Sequence, residues 1–240
     1  MKTPLFRAIG ILESCFKEKF GAPRQPLLVP AATAKLKVRK EFIPEQSLKG
    51  LEEFSHVWLL SYFHLNTNKN FLSTVHPTRL KGKTVGVFAS RSPHRPSPIG
   101  VSVAKLESIE GDTLYLSGTD LVDGTPILDI KPYIPAYDAV PRAKSGWAKK
   151  TKTVKLKVTF APKLNAPAAL RKLIAQVLSH DLRNPRDRSQ LQPGREHELR
   201  LSEAAVLFTV NGQTVRVVSV APARPKDYVR PGFVPPELLA

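Results

Sequence analysis

Among 240 residues there are one cysteine, one methionine and two tryptophans, and acidic side chains are scarce: 20 Asp and Glu against 37 Lys and Arg. The single cysteine, Cys15, excludes a disulfide within the chain and fits a reducing compartment. No apolar run approaches the ~18 residues a membrane helix needs. The opening MKTPLFRAIGILES lacks the apolar core and small-residue cleavage site of a secretion signal. A soluble, cytoplasmic protein without a membrane partner is expected. The six histidines, at 56, 64, 76, 94, 180 and 197, show no metal-ligand spacing, so no metal site is expected. No two of the 13 glycines are spaced Gly-x-Gly, which excludes the usual dinucleotide fingerprint. Lys81-Gly82-Lys83-Thr84 looks like the end of a phosphate loop, but Pro77 stands where that motif needs glycine. A strand-like run, Val85–Ala89, follows it instead of a helix.

What is abundant is positive charge. The net charge is +17 and the isoelectric point is near 10.1. A chain this basic most often meets a polyanion, and nucleic acid is the leading candidate. From Arg142 to Lys163 there are eight basic residues and no acid, with Trp147 among them. That pattern suits a phosphate backbone with a stacked base. Lys149, Lys150 and Lys152 are its densest part.

Residues 84–103, TVGVFASRSPHRPSPIGVSV, organise the remainder. Two apolar runs flank a connection holding Arg91, Arg95, Pro93, Pro96 and Pro98. Proline fixes φ and restrains its predecessor, so this connection is stiff and displays its arginines from a rigid frame. Such arginines suit an anion or a flat ring.

Along the chain, strands are expected at Phe6–Leu12, Ala34–Arg39, His56–His64, Val85–Ala89, Ile99–Leu106 and Thr113–Ser117. Pro23 and Pro26 bracket Arg24-Gln25. Asp123-Gly124 reads as a hairpin turn. Asp120, Asp123 and Asp129 interrupt an apolar stretch, where they could pair with Arg91 or Arg95 or receive ligand hydroxyls. A linker over Pro135–Pro141 precedes an amphipathic helix at Pro167–His180, an Arg-rich loop at Asp181–Gly194, a hairpin about Asn211-Gly212 and a proline-rich tail. The fold class expected is mainly β: a mostly β body, followed by a small α/β piece over roughly 160–222.

Several of these pieces combine into a known pattern. They are Lys17-Glu18-Lys19-Phe20 with Pro23-Arg24-Gln25, Leu48-Lys49-Gly50-Leu51-Glu52 with Phe54-Ser55-His56, and Phe63-His64. They continue with Gly86–Ser92, Arg95–Gly100 and Asp120–Tyr133. The chain resembles the TsaA/TrmO family of β-barrel tRNA methyltransferases, over nearly all of residues 5–140. The resemblance implies a small β-barrel without a Rossmann layer over 1–140, with 141–240 as a basic linker and α/β C-terminal part that helps hold tRNA. It further implies S-adenosylmethionine as cofactor and tRNA as partner, a homodimer, and methylation of the N6 nitrogen of threonylcarbamoyladenosine beside the anticodon. Carried over by position, the cofactor residues are Pro23, Arg24, Gln25, His64, Leu65, Arg91, Val101, Leu121, Val122, Asp123 and Gly124. On the substrate side stand Arg95, Lys149, Lys150, Lys152, Asp181 and Arg183. No catalytic residue is assigned; His64 and Asp123 are the candidate proton acceptors. After residue 140 the resemblance is weak, and the family's Asp-Pro-Arg-Pro loop departs to Asp181-Leu182-Arg183-Asn184. A non-enzymatic RNA-binding β-module is the alternative reading.

Overall fold

A computed structural model describes residues 6–67, 72–77, 80, 82–150, 155–181, 194–224, 234 and 238–239. The elements in chain order are β1 (Gly10–Ser14), β2 (Thr33–Lys37), α1 (Pro44–Ser47), β3 (His56–Tyr62), β4 (Thr74–Val75), β5 (Val85–Gly86), β6 (Ile99–Glu110), β7 (Thr113–Ser117) and β8 (Thr125–Pro132). They continue with α2 (Pro135–Asp138), β9 (Lys157–Phe160), α3 (Ala168–Leu178), β10 (Glu196–Leu201), β11 (Ala204–Asn211) and β12 (Thr214–Pro222).

Six strands close a barrel in the order β1-β2-β7-β6-β3-β8. Closure follows from alternation. In β1, β2, β3 and the first half of β6, every second residue is buried, so one face of each strand points inward. Leu12, Leu36, Val57, Leu59, Ala104, Leu114, Leu116 and Ile127 fill the interior. Each large aliphatic side chain removed from water there contributes about 1.5–3 kcal/mol.

The second core belongs to the sheet β10-β11-β12-β9, in which β9 runs parallel to β12. Helix α3 lays Leu173, Ile174, Val177 and Leu178 on that core. The segment between β1 and β2 joins it: Cys15, Phe16, Val29 and Ala32 pack there, and Phe16 bridges to Leu201. One stretch, residues 15–32, thus ties the barrel to the C-terminal sheet.

Several expectations change. The first strand runs Gly10–Ser14, not Phe6–Leu12. The run Val85–Ala89 is a two-residue strand followed by a 3₁₀ turn over Val87–Ala89, because the prolines downstream pull the chain away from any long ladder. Asp123-Gly124 is a turn but not a hairpin: β7 ends at Ser117, and β8 pairs with β1 and β3, not with β7. The Pro135–Pro141 linker carries the short α2, held by Asp138, whose carboxylate accepts the Ile134 amide and the Trp58 indole N–H. The hairpin about Asn211-Gly212 and the helix near 167–180 form as expected.

Candidate functional site

At one end of the barrel four connections meet: the exit of β1, the exit of β3, the Arg/Pro loop before β6, and the entry to β8. Each brings residues singled out in the sequence, and the contacts between them define the site.

The exit of β1 fans three consecutive charges in three directions. Lys17 Nζ lies 3.0 Å from the Asp123 carboxylate. Glu18 accepts the Arg200 amide at 3.2 Å, with the Arg200 guanidinium 3.7 Å away. Lys19 donates to the Leu65 carbonyl at 2.5 Å. Burial raises the pKa of Glu18, against the pull of Arg200. Gln25, further along, accepts a 2.6 Å hydrogen bond from Arg91 and donates one to the Arg24 carbonyl at 2.5 Å. The Pro-bracketed pair and the stiff loop thus touch directly.

His64 is buried at the exit of β3. Gly124 lies against it: a side-chain carbon at position 124 would sit 3.6 Å from Nε2 of His64. Gly124 also has φ +75°, which glycine adopts without steric cost. Burial, then the charge of Lys19, lowers the His64 pKa below 6.5, and Asp123 opposes both. The imidazole is therefore neutral at pH 7. Asn66 donates to the Pro93 carbonyl at 2.8 Å, fixing this exit to the Arg/Pro loop.

The entry to β8 is itself well held. The Asp123 carboxylate accepts the Ser14 amide at 2.7 Å as well as Lys17. The amides of Asp123 and Gly124 donate to the carbonyls of Phe16 and Leu12, and the Leu121 amide donates to the Thr119 hydroxyl. Asp120 accepts a 2.6 Å bond from the Ser102 hydroxyl, one position along β6 from Val101. Burial raises the Asp120 pKa, opposed by that bond and by Arg91. Gly100 permits a close approach: a Cβ there would come within 2.5 Å of Ser61 Oγ and 2.8 Å of the Phe63 ring.

The residues to which the sequence pointed therefore sort cleanly. Gln25, His64, Leu65, Arg91 and Leu121–Gly124 converge; Pro23 and Arg24 lie on the same connection as Gln25. Val101 stands on β6 beside Ser102, 56% exposed. Arg95 donates to the carbonyls of Val87 at 3.2 Å and Ser90 at 3.0 Å and stacks over Phe88, so it braces its own loop. Of the two roles open to the acids, an ion pair with Arg91 or Arg95 does not form: Asp123 pairs with Lys17, Asp120 accepts from Ser102 and feels Arg91 through its charge alone, and Asp129 pairs with Lys131 at 3.0 Å. Lys149 is exposed on a 3₁₀ turn over Gly146–Lys150, and Asp181 follows α3 at φ +35°. The side chain of Lys150, together with Lys152, Arg183 and the rest of the Arg-rich loop to 193, lies outside the described residues. Lys17, Lys19, Asn66 and the Ser102–Asp120 pair went unassigned in the sequence. Lys17 and Lys19 stood inside a quoted motif stretch, which was the available signal. Among the described residues there is no group of three metal-ligating side chains and no helix long and apolar enough to cross a membrane.

Residues 11–139 match the tRNA-methyltransferase O N-terminal domain family. A mouse protein named tRNA (adenine(37)-N6)-methyltransferase is 56% identical over 137 residues, covering 56% of this chain and 32% of its own length. The chain thus spans about a third of the mammalian relatives it matches. A protein of the same name from Escherichia coli strain K12 is 34% identical over 230 residues, covering 90% of this chain and 97% of its own. A crystal structure of TrmO from Pseudomonas aeruginosa, 39% identical, superposes with a TM-score of 0.77 over 93% of this chain and 99% of that one. The similarity therefore continues well past residue 140, where the motifs alone had faded. With the barrel, its motif stretches and these matches together, the chain belongs to the tRNA-methyltransferase O family.

Proposed function

We propose that this chain is an S-adenosylmethionine-dependent methyltransferase acting on the N6 nitrogen of threonylcarbamoyladenosine next to the tRNA anticodon. The observation that carries this reading is the meeting of Arg91, Gln25, His64 and Asp120–Gly124 at one barrel end. The cofactor residues are Pro23, Arg24, Gln25, His64, Leu65, Arg91, Val101 and Leu121–Gly124. When bound, S-adenosylmethionine supplies an electrophilic methyl on a sulfonium.

The protein's contribution is alignment and proton management. Arg91, oriented by Gln25, is suited to the methionine carboxylate. Asp123, already neutralised by Lys17, is suited to a ribose hydroxyl rather than to a second cation. The amides of Leu121, Asp123 and Gly124 are committed inside the fold, so recognition of an adenine amino group falls to this loop's carbonyls. His64 is the better proton acceptor of the two candidates. Its pKa is lowered by burial, whereas the Asp123 carboxylate already accepts hydrogen bonds from the Lys17 ammonium and the Ser14 amide.

On the substrate side we assign Lys149, Lys150, Lys152, Asp181 and Arg183, with Arg95 bracing the Arg/Pro loop, residues 1–140 as the catalytic domain and 141–240 as the tRNA-holding part. Exposed Phe88, Ile99 and Val101 beside the site favour a homodimer that covers them. A cytoplasmic setting accords with a tRNA substrate.

The test is incubation with methyl-labelled S-adenosylmethionine and tRNA purified with or without the threonylcarbamoyl group. Label should enter only the modified tRNA. Tight tRNA binding without transfer would replace this reading with an RNA-binding module.

A further inference from the structure

A basic hollow follows α2 along the chain. Arg142, Ala143, Lys144, Ser145, Gly146 and Lys149 line an open cleft of about 620 Å³. Its three cations are exposed, and the chain from Arg142 to Lys163 contains no acid to neutralise them. Two residues at left-handed φ, Arg142 at +65° and Gly146 at +51°, curl this segment into a hollow rather than a flat strip. The next residue, Trp147, is half-buried and donates its indole N–H to the Ala89 carbonyl at 2.8 Å. Ala89 ends the 3₁₀ turn that begins at Val87, and the carbonyls of Val87 and Ser90 hold Arg95. Arg91 follows Ala89 by two positions. The cleft is therefore fastened to the loop that carries the proposed cofactor arginine.

We propose that this cleft takes backbone phosphates of the tRNA flanking the base to be methylated, and that Trp147 is a positioning residue setting the distance between those phosphates and the methyl donor. The proposal rests on the methyltransferase reading above. A concave cluster of three cations suits phosphodiester oxygens. An indole anchored by its N–H keeps the cluster in register with Arg91, which a freely moving basic segment would not do.

The test uses the full chain with threonylcarbamoyl-bearing tRNA. In the variant Arg142→Gln/Lys144→Gln/Lys149→Gln, tRNA affinity should fall and the slope of log K against log salt should become shallower by about two to three. The affinity for S-adenosylmethionine by calorimetry should stay within about twofold of wild type. An unchanged salt slope overturns the phosphate assignment. Trp147→Phe keeps an aromatic ring and loses the donor. It should lower kcat about tenfold with little change in the KM for tRNA, and an unchanged kcat overturns the positioning role. If the wild type transfers no methyl at all, the parent reading has failed. If it transfers normally while both variants match it, only this inference has failed.

Discussion

The two ends of the barrel are built by the same strands and differ in nearly everything else. At the end described above, charged and polar groups of four connections contact one another: Lys17 with Asp123, Lys19 with Leu65, Arg91 with Gln25, Asn66 with Pro93. At the opposite end, residues 42–54 fold over the barrel mouth, and Phe42, Leu48 and Leu51 join the interior core. The cleft of about 590 Å³ there is mostly apolar, with Ile9, Val38, Phe42, Leu48, Phe54 and Ile130 among its walls. Yet both ends carry motif stretches of the family, Leu48–Glu52 and Asp129–Tyr133 as much as Pro23–Gln25 and Asp120–Gly124. A motif can mark a fold's closure as readily as its chemistry. What separates the two is whether the residues present polar groups to one another or hydrocarbon to the core.

The largest expected effect breaks the comparison at the polar end. Arg91→Ala removes a charged hydrogen-bond donor and should weaken S-adenosylmethionine binding by about 100-fold in calorimetry. Unchanged affinity would move the carboxylate contact elsewhere. The mirror experiment is at the apolar end: Leu48→Ala, a buried side chain, should cost about 2–4 kcal/mol of stability in urea while cofactor affinity of the folded protein stays put. A lost affinity there, without lost stability, would put chemistry at the wrong end.

Much of this contrast could be read from residues alone, and the missing part has physical causes. The strands were legible because β2 alternates Lys35 and Lys37 with Leu36, because β3 is an apolar and aromatic run, and because Asp-Gly and Pro-rich stretches punctuate them; closure into a barrel came from the family resemblance. The polar end was legible as a set of residues but not as a set of contacts. Lys17 is one of 37 cations, and only folding shows that it, not Arg91 or Arg95, reaches Asp123. Arg95 carried the same sequence signal as Arg91, yet it turns back on Val87 and Ser90. Asp129 looked like a third member of an acidic set, and strand geometry sends it along β8 to the far mouth. The tie through residues 15–32 was invisible because Phe16 and Val29 join a core whose members outside that stretch lie beyond residue 155.

Smaller effects sharpen the contrast. His64 binds its proton less readily folded than unfolded, because burial and Lys19 disfavour the imidazolium. The unfolded chain therefore takes up more protons as pH falls from about 6.5 toward the lowered value, and stability should decline across that window. His64→Asn should remove that component of the decline, read as urea midpoints at about pH 7.5 and pH 5.5. The same shift predicts that the acid limb of methyl transfer lies below the ordinary histidine range. A limb at or above about pH 6.5 would argue against His64 as proton acceptor. Least conspicuous is Cys15, whose thiol is pushed up to about 11 by burial. At about pH 8 its thiolate is about one part in a thousand, so it should resist alkylation in the native protein and react once unfolded. Rapid native alkylation would mean that the 15–32 tie is open.

Hydrogen–deuterium exchange with and without S-adenosylmethionine tests the contrast most directly. Protection should rise in residues 14–25, 64–66, 87–101 and 120–124, and stay level in 42–54 and 129–132. Protection gained at the apolar mouth, with none at the polar one, would contradict the account.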